Sequence, residues 1–172
     1  MKNNIYLWTG NGAGKSTSAF GTALRCVGQG FKAVIIQFMK GRKDIGEFKV
    51  KNKLGKNYQI YQFGRKELIK PISNLTEKDK LLARKGFEFA KYIVKKEKPR
   101  LLVLDEINLA CAIGLLDAQE VVCFLDDVPA STKVYLTGRN APRKLIQRAD
   151  FVNVINQVKM PKKWNATKGI EF

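Results

Sequence analysis

The stretch TGNGAGKST, Thr9 to Thr17, constrains the fold of this chain more than any other segment. Glycines at 10, 12 and 14 let the backbone curl until its N–H groups face a common centre, and Gly14-Lys15-Ser16 matches the end of the pattern G-x-x-x-x-G-K-[ST]. Thr9 stands where that pattern has its first glycine. Before the loop, Ile5 to Trp8 reads as a short buried strand; after it, Phe20, Ala23, Leu24 and Val27 give a helix one apolar face, with Gly28 and Gly30 at its end. A strand, a glycine turn and a helix in that order make a phosphate-binding loop, with a polyanion at the positive end of the helix.

The elements that follow alternate. Ala33 to Phe38 is a second buried strand, leading into a basic loop through Gly41 and Gly46. Tyr58 to Phe63 is a third strand. Ile69 to Thr76, with Pro71, reads as loop, and Thr76 with Asp79 caps a helix whose inner face runs Leu82, Gly86, Phe89, Ile93 and which Pro99 closes. Leu101 to Glu106 (LLVLDE) is the strongest buried-strand signal. Asp117 with Glu120 starts a further helix that Pro129 ends, Lys133 to Leu136 is a strand, Pro142 to Ala149 a short helix, and Phe151 to Ile155 a last strand before an irregular tail. This order predicts a mainly parallel α/β sheet with helices on both faces, and residues 1–172 read as one domain. Ligands in such sheets bind at the carboxyl ends of the strands, here Gly10 to Thr17, Asp105-Glu106 and Thr137 to Arg139.

Composition narrows the chemistry. The chain has no histidine, which removes the commonest general base and most transition-metal sites. Its three cysteines, Cys26, Cys111 and Cys123, lack a C-x-x-C spacing and read as small buried hydrophobes in a reducing compartment. No run approaches the roughly 20 apolar residues of a membrane span, and MKNNIYLWTG carries no signal-peptide core, so a cytoplasmic protein is expected. A formal charge of +17 favours an anionic partner, concentrated in Lys40 to Lys56 and Lys78 to Arg100. Trp8 reads as core and Trp164 as a half-buried anchor; Met39 and Met160 read as packing residues.

Lys15 is expected to neutralise two phosphates, Ser16 to offer a hydroxyl to Mg²⁺, and Thr17 to donate from the first helical turn. Asp105 ends its strand where an acid holds Mg²⁺ directly or through water. Glu106 beside it is suited to orienting an attacking water, to binding metal or to binding ribose. Arg139, after another strand end, and Arg25, inside the first helix, are further candidates for phosphate charge.

Taken together, TGNGAGKST with AFGTALR, QFMKG followed by Gly46-Glu47, VLDEIN, LTGRNAP, LIQRADFV and KGIEF make the sequence resemble the P-loop ATP:corrinoid adenosyltransferases almost end to end. Thr9 in place of glycine is that family's form of the loop. The resemblance implies a RecA-like P-loop fold, a homodimer, MgATP and a corrinoid, cob(I)alamin or cobinamide, whose Co(I) attacks the ribose 5′ carbon while triphosphate leaves. It also implies a nucleotide held in reverse relative to ordinary P-loop ATPases. With the readings above it gives a nucleotide-binding set of Thr9, Gly10, Asn11, Gly12, Ala13, Gly14, Lys15, Ser16, Thr17, Arg25 and Arg139. The metal set is Ser16, Asp105 and Glu106, and Lys15, Arg139 and Glu106 carry catalysis.

Many members of that family have a Phe-x-Trp pair after the third strand, near the corrinoid. Here FGRKELIKPISNLT has no Trp, so either Phe63 and the loop to Thr76 supply another apolar lid or the corrinoid lacks a lower ligand. A flavodoxin-like electron donor would suit the basic surface. The rival reading is a hydrolytic P-loop ATPase acting with nucleic acid; the aromatic residues fall mostly within expected core elements, which argues against a single-strand groove.

Overall fold

The computed structural model describes residues 4–66 and 75–170. The apolar runs become the strands β1 (Ile5–Thr9), β2 (Ala33–Phe38), β3 (Tyr58–Phe63), β4 (Leu101–Asp105), β5 (Lys133–Thr137) and β6 (Phe151–Val154). They form one six-stranded sheet in the order β3-β2-β4-β5-β1-β6, with every neighbouring pair parallel. Between them run α1 (Lys15–Gly28), α2 (Gly46–Lys49), α3 (Lys51–Leu54), α4 (Glu77–Glu97), α5 (Ile107–Ala112), α6 (Ala118–Asp127) and α7 (Arg143–Arg148). None of the described helices is long and apolar enough to cross a membrane.

β2 and β4 are buried at every residue, which is why both read as unbroken apolar runs rather than alternating ones. One face of the sheet, with Ile5, Leu7, Val34, Ile36 and Leu104, packs against α4 to α7. The other, with Ala33, Ile35, Leu101 and Val103, packs against Ala19 and Ala23 of α1 and is flanked by α2 and α3. Towards the β6 edge of that face Tyr6, Trp8, Tyr135 and Phe151 lie stacked on one another, with centroids 4.7 Å apart for Tyr6 and Tyr135 and 4.6 Å for Tyr6 and Phe151.

α4 starts where its capping pattern predicts. The Asp79 carboxylate takes the Thr76 N–H and hydroxyl at 2.8 Å each and the Arg65 guanidinium at 2.7 Å. Burial opposes its charge, yet these partners hold the Asp79 carboxyl below its usual range. Lys98, left-handed at φ 42, ends the helix ahead of Pro99.

Several sequence expectations change. The inner face of α4 is Asp79, Ala83, Gly86, Phe87, Ala90, Ile93 and Val94; Leu82 and Phe89 flank it half-buried, because apolar residues on both sides leave the stripe's centre open by about one position. On α1, Leu24 is exposed, and the small Ala19 and Ala23 meet the sheet. Trp8 is half-buried, Trp164 and Met160 are exposed in the irregular segment after β6, and only Cys111 of the cysteines is buried, with Cys26 partly covered and Cys123 exposed. α5, directly after the acid pair, and the short α2 and α3 in the basic segment have no counterpart in the sequence reading. Most of the expected loop from Ile69 to Thr76 lies outside the described residues, as does the end of KGIEF.

The turns after β2 and β3 press together backbone to backbone. A Cβ on Gly64 would lie 2.3 Å from the Lys40 nitrogen and the Met39 carbonyl carbon, and one on Gly41 would lie 2.5 Å from the Gly64 oxygen. No side chain there can yield. Gly64→Ala is therefore expected to lower unfolding free energy by about 1–3 kcal/mol. Gly21→Ala, in α1 with nothing within 4 Å of the added methyl, should raise it by about 0.5–1 kcal/mol. Urea titration of the two variants checks the opposite signs.

Candidate functional site

The phosphate loop joins β1 to α1 and is fixed from both sides. Gly10 (φ 97) and Gly14 (φ 107) take conformations that favour glycine, and a Cβ on Gly10 would lie 2.4 Å from the Ile155 oxygen. The same Ile155 oxygen accepts the Gly12 N–H at 2.8 Å, and the Ile155 N–H donates to the Thr9 oxygen at 2.9 Å. Thr9 earns its place over glycine through its hydroxyl, which accepts the Ala141 N–H at 3.2 Å and ties the loop to the turn after β5.

Lys15 is buried and donates to the Gly12 oxygen at 2.5 Å. Burial, then the nearby Arg139 charge, push its ammonium below the ordinary lysine range, with Glu106 pulling the other way. Arg139 itself is exposed at the end of β5. Asn11, Ala13, Gly14 and Thr17 are exposed along the loop and the first turn of α1.

At the end of β4, Asp105 has no exposed surface. Its Oδ1 accepts the Ser16 and Thr137 hydroxyls, each at 2.6 Å; its Oδ2 accepts Lys40 Nζ at 2.7 Å and Gln37 Nε2 at 3.0 Å. Burial alone would raise its pKa, but Lys40 and these hydrogen bonds hold the carboxyl below its usual range. Thr137 accepts the Glu106 N–H at 3.1 Å while donating to Asp105, so one hydroxyl sets both acids. Glu106 turns out of the strand with a left-handed backbone, φ 65. Burial and the Asp105 charge push its carboxyl up, against the pull of Lys40, Lys15 and Arg139.

A second tier holds this cluster. Gln62 Nε2 donates to Gln37 Oε1 and to the Arg42 oxygen, both at 2.9 Å, so β3 steadies the amide that β2 presents to Asp105. Asn108 of α5 donates to the Trp8 and Gly138 oxygens at 3.0 and 3.3 Å, clamping the ends of β1 and β5.

The structure thus brings together Ser16, Asp105, Lys15, Glu106 and Arg139 from elements far apart in sequence. Arg25 stays apart: it is exposed, ten residues beyond Lys15, roughly 15 Å along the axis of α1. Sequence reasoning missed Lys40, Gln37 and the paired role of Thr137. The available signal was Gln37, a polar residue inside the buried run AVIIQF, which in an apolar strand calls for a partner. Phe63 packs under α4, against Gly86 and with its ring centroid 5.5 Å from that of Phe89, so its ring is already committed to that contact.

Because Glu106 is held above its ordinary range, its ionised form weakens the fold. Glu106→Gln should therefore raise the melting temperature at neutral and alkaline pH, and the gain should vanish as pH falls below the ordinary glutamate range, where the native side chain is itself protonated. Melting curves of both proteins across pH test this, and a gain independent of pH would count against it.

A family profile described as ATP:corrinoid adenosyltransferase BtuR/CobO/CobP matches residues 1–172. A corrinoid adenosyltransferase of Sinorhizobium sp. is 37% identical over 175 residues, covering 99% of this chain and 81% of the relative. One from Escherichia coli K12 is 34% identical over 155 residues, covering 90% and 77%. Among solved structures, the KaiC-like protein PH0186 of Pyrococcus horikoshii OT3 superposes with a TM-score of 0.55 at 19% identity, covering 90% of this chain and 71% of that one, which shows a RecA-like P-loop fold.

Proposed function

This chain belongs to the ATP:corrinoid adenosyltransferase family, and from that premise we propose that it transfers the 5′-deoxyadenosyl group of ATP to the Co(I) centre of a reduced corrinoid, cob(I)alamin or cobinamide, releasing inorganic triphosphate. Corrinoid adenosylation is the family's chemistry, and the chain is a transferase. The observation that carries the finer reading is the gathering of Lys15, Lys40 and Arg139 about the mouth of the phosphate loop in a protein without histidine.

In the proposed reaction, Co(I) supplies both electrons of the new cobalt–carbon bond, and the electrons of the C5′–O bond leave with triphosphate. No proton has to be removed, so no general base is required. What the protein must do is hold C5′ in line and stabilise the negative charge that gathers on the leaving oxygen. The N–H groups of Asn11 and of Ala13 to Thr17, the α1 N-terminus, Lys15 and Arg139 are the groups we assign to that task, the Gly12 N–H being taken by Ile155. Glycines 10 and 12, pinned against Ile155, keep those N–H groups converged before the nucleotide arrives.

Ser16, Asp105 and Glu106 would hold Mg²⁺. Two carboxylates and a hydroxyl in one cluster are hard oxygen donors, and they suit an ion that takes the rest of its shell from phosphate and water. When bound, Mg²⁺ supplies charge neutralisation at the phosphates.

We further propose a cytoplasmic homodimer. The exposed apolar residues Phe151, Val152 and Val154 on the edge strand β6 support self-association. An acidic flavodoxin-like donor would dock on the basic segment, where Lys43, Lys49, Lys53 and Lys56 are exposed. The surface between Lys78 and Arg100 is partly neutralised by its own ion pairs, Arg84 and Lys91 with Glu88 and Glu120 and Lys32 with Glu97, which weakens the case for a nucleic-acid partner.

One observation favours a second reading. Glu106, lifted above its ordinary range beside Asp105, is also suited to orienting water, as in a hydrolytic ATPase. Phosphorus NMR of the products from MgATP, with and without a chemically reduced corrinoid under anaerobic conditions, separates the two. Triphosphate that appears only with corrinoid is the expected result; ADP and phosphate irrespective of corrinoid would replace it with the hydrolytic reading. Lys15→Ala and Arg139→Ala should each lower adenosylation about 10²-fold, the scale of losing one charge-stabilising donor, measured as steady-state turnover.

A further inference from the structure

Asp105 has four hydrogen-bond donors among the described residues, and three of them, Ser16, Thr137 and Gln37, are neutral. The fourth, Lys40, is a cation of a different standing. Its Nζ lies 2.7 Å from Asp105 Oδ2 and 3.5 Å from Ser16 Oγ, touching two of the three groups that the proposed metal site would use. Its side chain is 28% exposed while that of Asp105 is 0% exposed, so it approaches the carboxylate from the open side. Its backbone, by contrast, cannot drift: Met39 before it is left-handed at φ 57, and Gly41 after it abuts Gly64. A fixed anchor and a flexible four-carbon arm make a cation that can leave and return.

We propose that Lys40 is a tethered stand-in for the divalent cation: it neutralises Asp105 at the Ser16–Asp105 position, competes with the metal there, and is released toward the phosphates when the metal enters. The physical reason is repulsion. Two cations on one buried carboxylate, in surroundings far less polarisable than water, interact strongly enough that one must withdraw, and only Lys40 has somewhere to go. Without Lys40, the nucleotide-free protein would keep Asp105 buried and uncompensated, so the lysine holds the site ready. The cost is a metal affinity lower than the oxygen donors alone would give.

The inference rests on the adenosyltransferase reading only for the identity of the nucleotide, and its test needs neither ATP nor corrinoid. Mn²⁺ serves as the probe, with free ion counted by electron paramagnetic resonance during titration of the nucleotide-free chain. Lys40→Met should bind Mn²⁺ at least about tenfold more tightly than the unaltered chain. Equal affinity, weaker affinity, or no measurable binding by either protein overturns the proposal.

A second measurement keeps the test independent of how well the variant folds. In the unaltered chain, acylation of Lys40 by an N-hydroxysuccinimide ester, followed by mass spectrometry, should accelerate severalfold as Mn²⁺ saturates. A Lys40 labelling rate that ignores Mn²⁺ overturns it. Should Lys40 compete as described while no triphosphate forms from ATP, the adenosyltransferase reading fails and this one stands. Should triphosphate form while Lys40 ignores Mn²⁺, the reverse holds.

Discussion

A carboxylate with no exposed surface sits at the end of the central strand β4, and the rest of the site is arranged around keeping it charged. Stripping water from an ionised Asp costs several kcal/mol unless its lone pairs are met by good donors. Asp105 is met by one hydroxyl from α1, one from β5, an amide from β2 and an ammonium from the turn after β2. Those elements are adjacent in the sheet order but scattered through the sequence. The charge is thus tolerated only in the assembled parallel sheet, and the sheet in turn brings the phosphate loop to the acid.

The strand order explains why Thr137 matters. β5 lies between β1, which carries the loop, and β4, which carries the acids, so the loop and the acids are never direct neighbours in the sheet. Contact between them is made above the sheet by Ser16 on α1, while Thr137 on the intervening strand holds the acids and Thr9 ties the loop to the turn after that strand. Thr137 holds both acids at once: it donates to Asp105 and accepts from the Glu106 backbone, which turns left-handed at that residue. A valine of the same shape would fill the space and lose the link.

Local signals carried most of the fold. The glycine loop, the two continuous apolar strands and the hydrophobic-Asp-Glu strand end are patterns of neighbouring residues, and each became the element it predicted. What was not legible depends on residues distant in sequence. Lys40 looked like one lysine in a basic loop, and its role exists only because Gly41 and Gly64 let two turns touch and aim it at β4. The inner face of α4 was misjudged by about one position because Leu82 and Phe89 are as apolar as Ala83 and Phe87, and only the sheet decides which pair faces inward. α5 escaped notice because six helical residues directly after a strand read as a continuation of its apolar run. Cys123, read as buried, and Trp164, read as a half-buried anchor, both by residue type alone, lie exposed, since residue type is a weak guide without a periodic context.

The wall behind the phosphate loop belongs to the far end of the sequence. Gly12 hydrogen-bonds to Ile155, and that residue lies so close that positions 10 and 12 have no room for a Cβ. During synthesis the loop emerges first of the functional segments, while β6 and Ile155 emerge after all the other strands. A chain still on the ribosome therefore carries the nucleotide-binding residues without the surface that shapes them. The phosphate cradle has its full wall only once the sheet's outer strand has joined.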